Sequence, residues 1–461
     1  MHVSSFSLAS PRPGSLLGRL ARELSSTLSP NACLPFLAWA LYSAYVFLHA
    51  DAVVPDELNF LNIARGTNWR DFFVAAPPFA YGSIFWVCLK LLGSAFPARV
   101  VVLAMFLLTP YLIVRTIEAP RLKLAVLLLW LSFPIAWWTG KLIAPEIPCM
   151  FLVAVALHAF VRERLLLCAI ALGLAVGTKI SALPALIFFI VQFAIQPGRP
   201  ASAKLRAVPL LAAGFALALL FASPPIAAIV RELRNQSNPG TIMTLERVND
   251  ALLTTRWEWD SVFSGGAMQF SLMPFPFLLV ALGILARQPR IFAALALTIA
   301  AFVWINVRTQ TYYGWYWITF FPILLYAVAR TGDKDVPKWL TLGIVGAALI
   351  NAAEHLPLII DQASQKAEQI RVMGKRDEIT ACLQQKIDEL APATVFNLSE
   401  FGIDLKGPGR IYNWAEPAAY GAEVQIVGAR HLIRDRYHGE DSLKGKRLYA
   451  NCDTMLIFTS K

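Results

Sequence analysis

The chain has 461 residues, 57% hydrophobic and only 15% charged, with a formal net charge of +11. Soluble domains carry about a quarter of their residues charged, so most of this chain must face something other than water. The basic residues stand in short clusters between apolar runs, which is the pattern of a membrane topology code rather than of a nucleic-acid surface.

In chain order, residues 1–32 are polar, rich in Ser and Pro, and carry Arg12, Arg19 and Arg22. They lack the basic region, short apolar core and small-residue cleavage site of a secretory leader, and read as an uncleaved cytoplasmic tail. Apolar segments follow at 33–50, 78–93, 97–117, 122–138, 147–161, 165–178, 180–196, 207–230, 270–286, 291–306, 315–330 and 338–358. Runs of about 18 to 20 such residues cross a hydrocarbon core of about 30 Å.

Segment 78–93 decides the topology. If it spans, basic clusters such as Arg115/Arg121/Lys123 land outside. If it lies along the outer surface, that cluster falls inside, together with Arg162/Arg164, Arg199/Lys204/Arg206, Arg287/Arg290 and Arg330/Lys334/Lys338, as the positive-inside bias requires. The segment is short, opens on Pro77-Pro78, ends Lys90-Leu91-Leu92-Gly93, and sets Tyr81 and Trp86 where headgroups would lie. Those features favour an interfacial helix over a buried re-entrant one.

The expected fold is therefore mainly α, a polytopic membrane protein with about eleven transmembrane helices. The N-terminus is inside and the C-terminus outside. The expected domains are a tail at 1–32, a transmembrane domain at 33–358 with its first outer loop at 51–96, and a small extracytoplasmic α/β domain at 359–461. That last part has a charged helical stretch from Gln362 to Leu390 and β-like runs at Ala393–Leu398 and Arg447–Thr459. Of the six cysteines, Cys33, Cys88, Cys149 and Cys168 sit in or beside apolar segments as packing residues. Cys382 and Cys452 would meet an oxidising compartment, either bonded to each other or as two independent thiols.

Acids are scarce in the membrane half, so their positions carry information. The first outer loop reads Asp51-Ala-Val-Val-Pro55-Asp56-Glu57-Leu-Asn59. Adjacent carboxylates can act as a general base or hold a divalent cation, and Asp56 is equally well placed to cap a helix from Glu57. Glu146, between Pro145 and Pro148, is either a second reacting acid on the same membrane face or a start-of-helix acid favoured by the macrodipole. On that face Lys179 interrupts two apolar runs, and Arg308 begins the turn running through Tyr312, Tyr313 and Trp315. Outward cations suit an anionic phosphate, although each could be snorkelling to ordinary headgroups. The aromatic cluster fits an interfacial belt better than a sugar platform.

The order of these features resembles the GT-C glycosyltransferases. The similarity is to the dolichyl-phosphate-mannose–protein mannosyltransferase-like family and the lipid A aminoarabinose transferases. It rests on the Pro-Asp-Glu of the first loop, the Pro-Pro surface helix ending Leu91-Leu92-Gly93, and the Pro-flanked Glu146. It also rests on Gly173-Leu-Ala-Val-Gly177-Thr178-Lys179 and on Arg308 with Tyr312, Tyr313 and Pro322. The resemblance covers roughly 33–358 and implies an inverting transferase on the periplasmic face of a bacterial inner membrane. It would move a sugar from a polyprenyl-phosphate donor to a lipid A, glycan or protein hydroxyl, with membrane lipids as its other partners and no nucleic acid. The catalytic residues so implied are Asp56, Glu57 and Glu146. Lys179, Arg308, Tyr312 and Tyr313 would face the carrier phosphate. No cofactor is certain; a divalent metal ion stays open, and His49, His158 and His355 are scattered over separate segments. Ala75-Ala76 precede the proline pair, where relatives carry a Lys, His or Glu.

The rival from another class is a transporter or lipid-linked-saccharide flippase, which calls for ionisable residues near mid-membrane. A scaffold is third.

Overall fold

The computed structural model describes residues 30–49, 82–132, 143–195, 200–222, 256–259, 268–271, 289–309, 321–330, 375–398, 422–428, 445–453 and 455–460. It also describes parts of 341–353 and 405–412 and the single residues 64, 69, 136, 319, 356, 360 and 443. Within these the chain is mainly helical, with a small sheet near the C-terminus.

The helices follow the apolar runs: α1 Pro30–His49, α2 Ser83–Leu92, α3 Ala95–Arg115, α4 Pro120–Ser132, α5 Glu146–Val161, α6 Leu165–Thr178, α7 Leu183–Ile195, α8 Ala201–Ala222, α9 Pro289–Thr309 and α10 Phe321–Arg330. Prolines set several boundaries. Pro120, Pro289 and Pro322 stand in first turns, where a missing N–H costs nothing. Segment 122–138 ends as a helix at Ser132, two residues before Pro134, which disfavours helical backbone in the residue ahead of it. Among its described residues segment 78–93 is helical over Ser83–Leu92, and a left-handed Gly93 closes it. Segment 207–230 begins earlier than its apolar run, at Ala201.

The helices meet in one apolar core. Trp39 of α1, Phe106 of α3, Trp130 of α4 and Phe321 of α10 form a chain of rings, with centroids 5.4 Å apart for Trp39–Phe106 and 5.4 Å for Trp130–Phe321. Trp39 also donates from Nε1 to the Ala136 carbonyl at 2.7 Å. Phe321 through Ala327 of α10 are all buried, so this stretch is apolar all round, as a central helix must be. Small residues let α6 and α8 approach closely. A Cβ on Gly173 would meet Phe215 O and Ala218, and one on Gly214 would meet Leu166.

Two helices, α3 and α8, are long and apolar enough to cross a membrane, each with a mean hydropathy of 2.0 over its best window. Only 11% of that window in α8 is buried, so Leu205, Leu210, Leu217, Leu220 and Phe221 point away from the protein. Leu34, Leu37 and Leu41 of α1, Leu166 and Leu167 of α6, and Leu297 and Trp304 of α9 do likewise. An exposed apolar surface spread over that many helices fits lipid rather than water.

Chain direction gives the bundle two unlike ends. At one, Arg115, Arg162 and Arg164 all act on His158, Lys204 donates to the Ala194 carbonyl at 2.8 Å, and Gln192 donates to the Arg290 carbonyl at 3.3 Å. The other end holds Glu146 and Lys179. Ile143 packs there with Ala98, with Phe85, Trp86 and Leu89 of α2, and with Ala64 of the first loop.

Between the helices, β1 Arg256–Trp259 and β2 Met268–Ser271 pair antiparallel, Trp257 opposite Phe270. The sequence pattern placed this stretch in a loop, with the last two residues of β2 overlapping the apolar run 270–286; the rest of that run lies outside the described residues. Near the C-terminus, α11 Arg376–Leu390 lies against a five-stranded sheet of order β4-β3-β5-β7-β6. Its strands are β3 Thr394–Leu398, β4 Arg410–Tyr412, β5 Val424–Gly428, β6 Arg447–Cys452 and β7 Met455–Thr459. The first three are parallel and the last two join antiparallel. Ile379, Leu383 and Ile387 recur every fourth residue and bury against Val395, Val424, Ile426 and Ile457, which occupy one face of the pleat.

Cys382 of α11 and Cys452 of β6 are bonded across a sequence separation of 70 residues. Closing a loop of that length stabilises the module by about 4 kcal/mol, chiefly through the unfolded chain. Cys452→Ser should therefore lower its resistance to denaturant by about that amount. The measurement is urea unfolding of the whole protein followed by proteolysis at the C-terminal module. An unchanged midpoint would show that the bond does not hold the module.

Candidate active site

The first turn of α5 and the last turn of α6 lie side by side because the two helices are antiparallel neighbours. Glu146 is the first residue of α5, and Pro145 and Pro148 flank it without loss, since early N–H groups have no helical partner. Lys179 caps α6 with extended backbone, φ −154° and ψ 128°. Each charge therefore stands at the helix end that favours it: the acid at an N-terminus, the cation at a C-terminus. The Lys179 ammonium donates to Glu146 Oε1, and both residues are buried, 7% and 5% exposed.

Three further segments close on the pair. Gly82, just ahead of α2, donates its N–H to the Thr178 carbonyl at 2.9 Å and so satisfies one of α6's terminal acceptors. Only glycine fits there, because a Cβ would run into the carbonyl oxygens of Gly177 and Ala222. Beyond Lys179 the chain makes one 3-10 turn, Ile180–Ala182, with Ala182 N–H donating to the Lys179 carbonyl at 3.1 Å. Thr319, fully buried, donates from Oγ1 to the Ser181 carbonyl at 3.0 Å and ties the segment before α10 to that turn. The first loop is fastened through Lys90, which donates to the Ala64 carbonyl at 3.3 Å and lies 5.5 Å over the Trp69 ring.

Of the residues singled out in the sequence, Glu146 and Lys179 are thus brought together as direct partners. Arg308 belongs to the last turn of α9 instead of opening a turn, at the end of α9 remote from Arg290. Asp56, Glu57, Tyr312 and Tyr313 lie outside the described residues. The sequence pattern did not single out Gly82, Ser181, Thr319 or Arg99. Arg99 is a cation in the opening turns of α3, 3% exposed, beside the Ala98 that packs on Ile143. A lone Arg inside an apolar run was the available signal for it; nothing in the sequence marked Ser181 or Thr319.

Among the described residues no three His, Cys, Asp or Glu side chains are grouped to hold a metal ion. The site's described carboxylate, Glu146, has Oε1 on Lys179, whereas Mg²⁺ or Ca²⁺ takes six or more oxygen ligands. The described residues alone do not make such a centre. No family model matches this chain, and neither a curated protein nor a solved structure is found to match it.

Removing one member of a buried pair strands the other charge. Glu146→Gln or Lys179→Met alone should each cost about 3–5 kcal/mol, and the double variant less than their sum. Thermal unfolding in detergent of the three variants and the parent gives the coupling; additive losses would mean that the charges do not support one another. Gly82→Val should lower the unfolding temperature as well, by prising α2 from the ends of α6 and α8. An unchanged temperature would remove that contact from the architecture.

Proposed function

We propose that this protein is a membrane glycosyltransferase of GT-C type that transfers a sugar from a polyprenyl-phosphate donor to an envelope hydroxyl. The observation that carries the reading is the buried Glu146–Lys179 pair at the end of the bundle where the first loop, α2 and the segment before α10 converge. Two residues chosen from separate stretches of sequence for roles in one reaction turn out to be partners.

In this reading the Arg115/Arg162/Arg164 end faces the cytoplasm and the Glu146 end faces the periplasm, in keeping with the positive-inside bias. About eleven helices span, including those too short in the described residues to cross unaided, and α2 lies at the outer interface. The acceptor hydroxyl needs a base as its oxygen attacks the anomeric carbon, and Asp56 takes that proton, with Glu57 beside it. The bond from the anomeric carbon to the phosphate oxygen breaks, and the leaving phosphate gains negative charge. Lys179 stabilises that charge from a dry site, where a fixed cation acts far more strongly than in water. Glu146 holds the ammonium in place until the phosphate arrives. Arg308, Tyr312 and Tyr313 line the donor's approach. The pair sits at helix ends, not at mid-helix, which favours this reading over a transporter.

The test is mass spectrometry of envelope glycolipids and glycoproteins from cells with and without the protein. Loss of one sugar mass is expected on deletion. Asp56→Asn should insert normally yet transfer about a hundredfold more slowly, and Lys179→Met should fall comparably. Full transfer by Asp56→Asn would remove Asp56 from the chemistry, and an unchanged glycan profile on deletion would end the proposal.

A further inference from the structure

Five buried hydroxyls in this bundle return to carbonyls three or four residues earlier in the chain. Thr109 donates to Met105 O, Thr116 to Ile113 O, Ser132 to Leu129 O, Thr178 to Leu174 O and Thr298 to Ala294 O, at 2.6–2.8 Å. Ser181 departs from the pattern. Among the described residues its Oγ is the one hydroxyl oxygen fully shielded from solvent with no hydrogen-bond partner. Leaving such a group unsatisfied is unfavourable, so this orphan, two residues from the buried Lys179, points to a ligand.

Its neighbourhood indicates which ligand. Ser181 is two residues beyond Lys179, on the 3-10 turn Ile180–Ala182, whose backbone is pinned at Lys179 O by Ala182 N–H and at Ser181 O by Thr319. Thr178 just before the turn returns its hydroxyl to Leu174 O, so the local backbone does not need Ser181's. A hydroxyl donor two residues along the chain from a buried ammonium, on a turn whose backbone is pinned, suits an anion with several acceptor oxygens. We infer that Ser181 is a binding residue for that anion: its hydroxyl and the Lys179 ammonium take separate oxygens of one phosphate monoester, the headgroup of a prenyl phosphate. This rests on the function proposed above and assigns a residue which that proposal leaves unused.

The experiment is calorimetric titration of the purified full-length protein in detergent with farnesyl phosphate, farnesol and inorganic phosphate. The parent should bind farnesyl phosphate more tightly than farnesol, and equimolar inorganic phosphate should not displace the ester. Ser181→Ala should weaken farnesyl phosphate about tenfold, the scale of one hydrogen bond to a charged group, and leave farnesol unchanged. Ser181→Thr should restore the affinity. The unfolding temperature of Ser181→Ala without ligand should not fall, because no protein partner is lost. A fall in that temperature with unaltered affinity would assign the hydroxyl to the fold and overturn the inference. So would an unaltered affinity alone, the result expected if only water sits there. If Lys179→Met loses the phosphate preference while Ser181→Ala keeps it, Ser181 is wrong and the proposed function stands. If the parent does not distinguish farnesyl phosphate from farnesol, or inorganic phosphate displaces the ester, the lipid-phosphate carrier fails and the inference with it.

Discussion

Two opposite charges inside an apolar bundle constrain this structure more than any other interaction in it. Neither Glu146 nor Lys179 is tolerable alone at that depth, since desolvating a single ion outweighs most packing gains. The pair is therefore a matching condition on two helix ends. The start of α5 and the end of α6 must come level, and the segments that exclude water from the pair must come with them. Gly82 is required on the same ground: it closes over Thr178 O where no side chain fits. Thr319 performs the corresponding task from the far side of the turn. A buried ion pair is weak evidence for stability as such, because an apolar pair of similar volume would serve the fold as well. Under the function proposed above, its place at the junction of three loops follows from what a buried cation can do for an anion.

The packing around that end serves the same purpose. The linked rings of Trp39, Phe106, Trp130 and Phe321 fix α1, α3, α4 and α10 relative to one another through contacts that no single rotamer change can release. Gly173 and Gly214 bring α6 and α8 together closely enough that Ala222, at the end of α8, reaches Gly82. Aromatic bulk in the interior and small residues at one seam thus set the positions of the helix ends, and the helix ends set the charges. In lipid, where apolar contact with a neighbouring helix gains nothing over contact with acyl chains, close packing of this kind is the available source of specificity.

Most of the helices were legible in the sequence because an apolar run of sufficient length can satisfy its backbone only by closing on itself. Their limits were less so. Lys204 and Arg206 read as a loop by charge, yet both are good helix formers; Lys204 reaches along the surface to Ala194 O, and α8 begins ahead of them at Ala201. The strand pair at Arg256–Trp259 and Met268–Ser271 was hidden because a four-residue alternation is too short to separate from loop. Within the site, Glu146 and Lys179 were visible as charges in a chain that has few to place there. That they are partners was not visible, since they are 33 positions apart and antiparallel helices alone bring them level. Ser181 carried no signal, because what distinguishes it is the partner it lacks in three dimensions.

The disulfide bears on orientation independently of the charges. Cys382–Cys452 joins a helix and an edge strand of the C-terminal module, and such bonds persist in oxidising compartments and are rare in the cytosol. Chain direction makes its own statement: α10 begins beside Ser181 and ends at Arg330, the arginine-rich end of the bundle. Helical, largely apolar residues follow within 341–350. In the topology proposed above, one return crossing by that segment takes the module to the side of Glu146 and Lys179. In that proposed topology the positive-inside bias assigns that side to the outside from the arginines alone, and the disulfide assigns the module there from the cysteines alone. Redox chemistry and lipid electrostatics have no common cause, so their agreement on one face supports the proposed function from two independent sides.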